Sequence, residues 1–289
     1  MEKGTEYQSV FRQGLFAGEV AIVTGGGSGI GRCTAHELAS LGARIALVGR
    51  KPEKLAAVQA EIAAAGGEAR AYPCDIREEE AVKAVVAAVL ADFGRIDHLV
   101  NNAGGQFSAP LEKISAKGWD AVVRTNLTGG FLMARECYTQ HMKAARRGAI
   151  VNIIADMWMG MPWMAHSGAA RAGMHNFTQS AALEWAPVRV NSVAPGWIAS
   201  SGMDQYPPEM QERIRGLKDH APMHRMGTES EVSSAICFLL SPGAAYVSGS
   251  CLRVDGASPN VKPARPIPNK EATPEYNGFP LAEKPKVLR

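Results

Sequence analysis

An α/β fold built on one doubly wound parallel sheet is predicted by three observations. Short apolar runs alternate with longer helical stretches from Val20 to Val254. A glycine-rich TGGGSGIG segment, Thr24 to Gly31, joins the first apolar run to the first helix. The chain has 289 residues, 46% of them hydrophobic, enough for one sizeable core. Strict β-α alternation requires parallel strands with helices on both faces, and the crossovers are right-handed.

The elements follow in order. Val20–Thr24 is uninterrupted apolar sequence closed by a threonine, a buried strand, and Ser28–Leu41 is helical. Arg44–Val48 reads as strand and Pro52–Ala65 as helix, with proline in the first turn where its missing N–H is not needed. Ala69–Pro73 is strand, Arg77–Phe93 helix and His98–Val100 strand. A long helical stretch covers about 116–145, followed by the strand Ala149–Ile154. Another helix spans about Trp163–Trp185, ahead of the strand Arg189–Val193. Thr228–Leu240 opens on a T-E-S-E capping pattern, and Cys251–Val254 is the last strand. This Rossmann-type catalytic domain runs over 18–256. Residues 1–17 are an extension whose Tyr7, Phe11 and Phe16 pack on its surface. In the tail, 257–289, Pro259, Pro263, Pro266, Pro268, Pro274, Pro280 and Pro285 exclude helix and interior strand, so it is extended or disordered.

Composition narrows the function. A net charge of +3 with scattered basic residues is no field for nucleic acid. Cys33, Cys74, Cys137, Cys237 and Cys251 are far apart, an odd set that reads as reduced intracellular thiols and gives no metal-ligand spacing. No secretory h-region, bilayer-spanning run or lipidation signal is present, and Lys286–Arg289 matches no targeting address, so the expected location is cytoplasmic. His220 and His224 are spaced for one helical face, but Pro222 puts them in a loop, and no metal is expected.

The TGGGSGIG loop has the chemistry of a dinucleotide cradle. Gly25 permits the tight turn, Gly29 lets backbone approach a phosphate, and Gly31 allows close helix–strand packing; the helix N-terminus offers free N–H groups to the pyrophosphate. At the end of the second strand an NAD site usually carries an acid for the ribose 2′-hydroxyl. Here Arg50 and Lys51 stand there instead; an arginine fork suits the 2′-phosphate of NADP(H), and the alternative is that Arg50 is a solvated loop charge.

The Gly25–Gly29 spacing and the Asn101–Gly104 NNAG turn together resemble the short-chain dehydrogenase/reductase family over about 18–256. The resemblance implies that Asn101 braces the sheet beside the adenine and that Asp75 contacts the adenine; the alternative for Asp75 is a helix N-cap, and the two roles are compatible. The implied cofactor set is Thr24, Gly25, Gly27, Ser28, Gly29, Ile30, Gly31, Arg50, Asp75, Ile76, Asn101, Ala103, Gly104, Arg171, Pro195 and Gly196. It also implies that Asn126 holds the family's active-site asparagine position, while the serine position falls on Ile154 or Ala155. Where the family places a tyrosine and a lysine four residues apart, this chain has Ser167 and Arg171.

A serine hydroxyl is a far weaker acid than a phenol of pKa about 10, so it protonates an alkoxide poorly. An arginine of pKa above about 12 does not relay protons. Reducing a C=C conjugated to a thioester asks for less, since hydrogen bonds suffice to stabilise an enolate oxygen. The runs NNAGGQF (101–107), SAKGW (115–119), IVNII (150–154), HSGAARAGM (166–174) and ALEWA (182–186) are similar to the trans-2-enoyl-CoA and dienoyl-CoA reductase branch. A Tyr-x-x-x-Lys pair sometimes assigned there falls on His175 and Gln179.

The expectation is therefore an NADP(H)-dependent enoyl-CoA reductase. Its alternatives are an alcohol or aldehyde dehydrogenase for a branched or terpenoid substrate, and a nucleotide-binding regulator without catalysis. Catalytic candidates are Ser167, Arg171, Asn126 and Asp156; Asp156 follows the fifth strand and is either a functional acid or a loop acid. His166 either assists protonation or is structural. Met157, Trp158, Met159, Met161, Trp163 and Met164 line an acyl or terpenoid channel or a subunit contact. The resemblance implies a homotetramer, and Arg213, Arg215 or Lys218 is a basic lid contact for CoA phosphates or part of an exposed helix.

Overall fold

The computed structural model describes residues 6–205, 208–261, 267 and 269–288. Seven parallel strands form one sheet in the order β3-β2-β1-β4-β5-β6-β7. They are β1 Val20–Thr24, β2 Arg44–Gly49, β3 Glu68–Pro73, β4 His98–Asn101, β5 Ala149–Ile153, β6 Arg189–Pro195 and β7 Cys251–Val254. The strand order reverses between β1 and β4, which opens a crevice at the carboxyl ends of those strands.

Helices close both faces. On one, α1 (Gly29–Ser40), α2 (Pro52–Ala64) and α9 (Glu229–Leu240) bury Leu38, Leu55 and Ile236 against Ile45 and Leu47. On the other, α3 (Glu79–Phe93), α5 (Gly129–Cys137) and α7 (Ala165–Glu184) bury Val86 and Met133 against Leu99, Ile150 and Val190. At about 25 cal/mol per Å² of apolar area removed from water, these two layers dominate the stabilising terms. The capping pattern forms as the sequence predicts: the Thr228 hydroxyl accepts from the Glu231 N–H, and the Glu231 carboxylate from the Thr228 N–H.

Three elements differ from the sequence reading. The long helix is α4 (Ala116–Val123), α5 and α6 (Lys143–Ala145) joined by widened five-residue turns at Arg124–Thr128 and Tyr138–Met142. Asn126 sits in the first of these. The helix expected from Trp163 starts at Ala165, because Trp163 has φ +70°, outside the helical region. A further helix, α8 (Pro208–Gly216), follows the turn Ser201–Gln205 and makes a flap beyond β6.

The terminal segments are tied down. Glu37, buried on α1, accepts from the Tyr7 hydroxyl at 3.2 Å, from Ser9 at 2.7 Å, and from Ser233 of α9. Tyr7 stacks on Phe279 of the tail with ring centroids 5.9 Å apart, and the Arg32 guanidinium lies 5.1 Å from the Phe279 ring. The tail is extended across 269–285, anchored by apolar side chains and by hydrogen bonds to Gln8, Met223, Arg225 and Glu231. Pro263, Pro266 and Pro268, read as part of it, lie outside the described residues, as do residues 1–5 and Arg289.

Candidate active site

The loop after β1 has the form a dinucleotide requires. Gly25 and Gly29 adopt φ +66° and +58°, conformations that favour glycine. A Cβ on Gly31 would collide with the Gly25 carbonyl and the Asn102 amide, so only glycine lets α1 start this close to β1. Ser28 precedes α1 without capping it through its side chain, and the first turn holds no acid. Its N–H groups are left for an anion. The residues present therefore fit a nicotinamide dinucleotide.

Other expected contacts divide into floor and rim. Thr24 is wholly buried; its hydroxyl donates to the Val100 carbonyl and accepts from the N–H groups of Asn102 and Ala103, each at 3.0 Å. Thr24 thus shapes the floor, joining the loop to the NNAG turn. Asn101 donates to the Gly130 carbonyl and to Asn152, each at 2.9 Å, and so braces β4 against β5 and α5. Ile76 is buried against Gly129, and Gly196 closes on Asp255, where a Cβ would come within 2.8 Å of the Asp255 Cα.

At the adenosine end, Asp75 is not an N-cap. Its carboxylate accepts from the Arg77 N–H and guanidinium, and that hydrogen bonding holds it below the ordinary carboxylate range. Arg50 is exposed at the end of β2, without a hydrogen bond or ion pair among the described residues, and its charge reaches Asp75. Glu229, the first residue of α9, reaches the loop: its Oε1 lies 3.8 Å from the place of a Cβ on Gly29. Burial pushes its pKa up to about 7, opposed by Arg32. Sequence reading missed this acid because only the fold brings α9 beside α1.

The reacting end draws on four segments. Ser167 and Arg171 share one face of α7, one turn apart. Ser167 is fully buried; its hydroxyl donates to Gln106 Oε1 at 2.7 Å and receives a longer contact, 3.5 Å, from Asn126 Nδ2. Asn126 is fixed by the Gly105 backbone, donating to its carbonyl at 3.0 Å and accepting from its N–H at 2.9 Å. Arg171 donates to the Ile153 carbonyl at the end of β5, while its Nε is buried without a partner. Desolvation lowers its pKa to about 10, so it stays a cation at neutral pH and still relays no proton.

Gly104 makes this arrangement possible, since a Cβ there would lie 2.5 Å from Arg171 Nη2 and 3.1 Å from Asn126 Oδ1. Gln106 and Glu229 are the two site residues that the sequence reading did not single out. The signal for Gln106 was present in the NNAGGQF run, directly after the turn that meets Arg171.

Asp156 stands apart. One carboxylate oxygen is buried without a partner, and burial raises its pKa against the nearby charge of Arg253. No hydrogen bond joins it to Ser167 or Arg171 among the described residues. His166 is fully buried with both ring nitrogens unpartnered, edge-on to Phe107 at 4.4 Å. His175 meets Trp158 and Gln179 is exposed, so that pair lies outside the Ser167 cluster. The apolar cluster splits: Met164 is buried, whereas Trp158, Met159 and Trp163 are exposed. His224 bonds the Asn269 carbonyl, and no trio of His, Cys, Asp or Glu among the described residues is placed to hold a metal. No helix among them is long and apolar enough to cross a membrane.

Known proteins share this architecture. Residues 25–257 match the family described as Enoyl-(Acyl carrier protein) reductase. The chain is 33% identical to the probable 2,4-dienoyl-CoA reductase of Bacillus subtilis (strain 168), over 82% of this chain and 95% of that protein. It is 36% identical to the peroxisomal 2,4-dienoyl-CoA reductase of Rattus norvegicus, over 88% of each. Among solved structures, a citronellol catabolism dehydrogenase from Pseudomonas aeruginosa PAO1 superposes with a TM-score of 0.79 at 59% identity, covering 87% of this chain and 99% of that one.

Proposed function

The chain belongs to the short-chain dehydrogenase/reductase family of oxidoreductases, and from that premise we propose that it reduces the conjugated C=C of a trans-2-enoyl-CoA with NADP(H). One observation carries the reading: Ser167, which the resemblance aligns with the phenol that carbonyl reduction relies on, has its hydroxyl held between Asn126 and Gln106. Gly25, Ser28, Gly29, Ile30 and Gly31 would hold the pyrophosphate, Arg50 the 2′-phosphate, and Arg171 the nicotinamide ribose. When bound, the nicotinamide supplies hydride to the β-carbon of the conjugated double bond.

Negative charge then collects on the thioester oxygen of the substrate. Ser167 is already a hydrogen-bond donor, so this oxygen needs only to take the place of Gln106 Oε1. Asn126 orients the hydroxyl, and the Arg171 cation adds a favourable field where little water screens it. The α-carbon takes its proton from water. Asp156, without a hydrogen bond to Ser167 or Arg171 among the described residues, takes no step in this account. From the family resemblance and the composition we also propose a cytoplasmic homotetramer with a Rossmann-type domain over 18–256.

A second reading, oxidation or reduction of a branched terpenoid alcohol or aldehyde, is favoured by the 59%-identical citronellol catabolism dehydrogenase. The two separate by NADPH absorbance with crotonyl-CoA, longer enoyl-CoAs, citronellal, and citronellol with NADP+. Turnover of enoyl thioesters supports the first reading; turnover of the terpenoids alone replaces it with the second. Cofactor binding without any turnover would make the chain a nucleotide-binding regulator.

A further inference from the structure

We infer that Phe279 of the C-terminal tail is a positioning residue of the dinucleotide site, holding the starts of α1 and α9 where the pyrophosphate binds. This role depends on the dinucleotide site alone, whichever substrate is reduced. The family match covers residues 25–257, so Phe279 acts on the site from outside it.

Both helices begin at the loop that cradles the phosphates. α1 starts at Gly29, and α9 starts at Glu229, whose Oε1 lies 3.8 Å from the place of a Cβ on Gly29. The tail meets each helix within a turn of that point. On α9, the Phe279 N–H donates to Ser230 Oγ at 3.2 Å and the Tyr276 N–H to Glu231 Oε1 at 3.3 Å, while the Thr228 hydroxyl donates to the Tyr276 carbonyl. Glu229 stands between these anchored residues. On α1, the Phe279 ring lies 5.1 Å from the guanidinium of Arg32, the residue after Gly31, and 4.9 Å from the His36 ring. Phe279 is 2% exposed and packs with Cys33 and Tyr7.

A helix N-terminus binds an anion through N–H groups and nearby charges that are held in place beforehand. Arg32 donates two bonds of 2.8 Å to Glu61, so that carboxylate and the Phe279 ring fix its guanidinium from two sides. The charge of Arg32 is also the one that opposes the raised pKa of Glu229, the acid beside the loop. Without the ring, water reaches the guanidinium and screens that charge. The tail segment that braces the first turn of α9 loses the apolar side chain that seats it. Both changes weaken pyrophosphate binding, and neither touches the reacting end. Linkage makes the effect reciprocal: if the docked tail raises cofactor affinity, bound cofactor holds the tail down by the same factor.

The test is fluorescence titration of the full chain with NADPH and with NADH. For each cofactor that wild type binds, Phe279→Ala is expected to weaken binding about tenfold, because both carry the pyrophosphate and one such contact has that size. Val287→Ala removes a comparably buried side chain at the other end of the tail, against the flap, and should leave the affinity unchanged. Unchanged affinity in Phe279→Ala overturns the role, and so does equal weakening by the two variants, which would make Phe279 a general stabiliser. Hydrogen exchange in wild type reads the reciprocal effect without any substitution. Saturating cofactor should slow exchange across residues 276–281 by about tenfold and leave 286–288 unchanged. Exchange at 276–281 that does not respond to the cofactor overturns the coupling.

Discussion

The Ser167 hydroxyl donates its proton to Gln106 Oε1 across 2.7 Å, so this hydroxyl at the proposed reacting end is held in donor orientation before any substrate arrives. A donor set in advance needs no reorganisation as charge develops. Ser167→Ala is therefore expected to lower kcat for enoyl-CoA reduction about 100-fold, in the range for loss of one oxyanion donor. NADPH affinity, measured by fluorescence titration, should not change. An unchanged kcat would remove Ser167 from the mechanism.

The contact between Gly104 and Arg171 predicts a coupled pair. Gly104→Ala puts a methyl group 2.5 Å from Nη2 and must displace the guanidinium, so kcat/KM is expected to drop at least tenfold. Arg171→Lys removes the obstructed nitrogen. The double variant should then lose less activity than the two single effects combined, a coupling that a double-mutant cycle reads directly.

Glu229 gives the cofactor site a pH dependence. Burial raises its pKa to about 7, and a pyrophosphate at the neighbouring loop disfavours the carboxylate further. Protonation thus favours binding: NADPH affinity holds below pH 7 and weakens as pH rises through it. Glu229→Gln should bind more tightly than wild type at pH 8 and flatten the profile. The raised pKa also means the folded state holds this proton more firmly than the unfolded chain. Stability from this group is then full below the unfolded carboxylate pKa and falls as pH rises toward 7, so the glutamine variant should melt higher than wild type at pH 8 but not at pH 4.

Arg50 sets the cofactor preference in this account. Arg50→Ala is expected to weaken NADPH binding about tenfold and leave NADH nearly unchanged, since only NADPH carries the 2′-phosphate. Equal losses for both cofactors would move Arg50 out of that role.

Most of the fold was legible because its signals are local. The apolar run Val20–Thr24, the glycines after it and the T-E-S-E cap each specify their own segment, and the structure places them accordingly. The reacting end was legible in part. Ser167 and Arg171 lie on one helix face, so spacing alone brings them together, and the resemblance supplied Asn126. Gln106 and Glu229 escaped because their partners stand 61 and about 200 residues away in the chain, and contacts of that separation leave no periodic trace. The tail was legible as extended, but its anchoring was not, for a related reason. Its prolines exclude helix and interior strand, yet Phe279 and Val287 need neither to be buried by neighbours from distant segments.

The central claim is the position that receives hydride, and isotopic labelling reads it directly. Crotonyl-CoA is reduced with NADPH carrying deuterium in turn on each face of C4, and the product is examined by NMR. The account predicts butyryl-CoA with one deuterium at the β-carbon from one of the two labelled cofactors, and a solvent-derived hydrogen at the α-carbon. Deuterium at a former carbonyl carbon, or turnover confined to citronellal and citronellol, would contradict it.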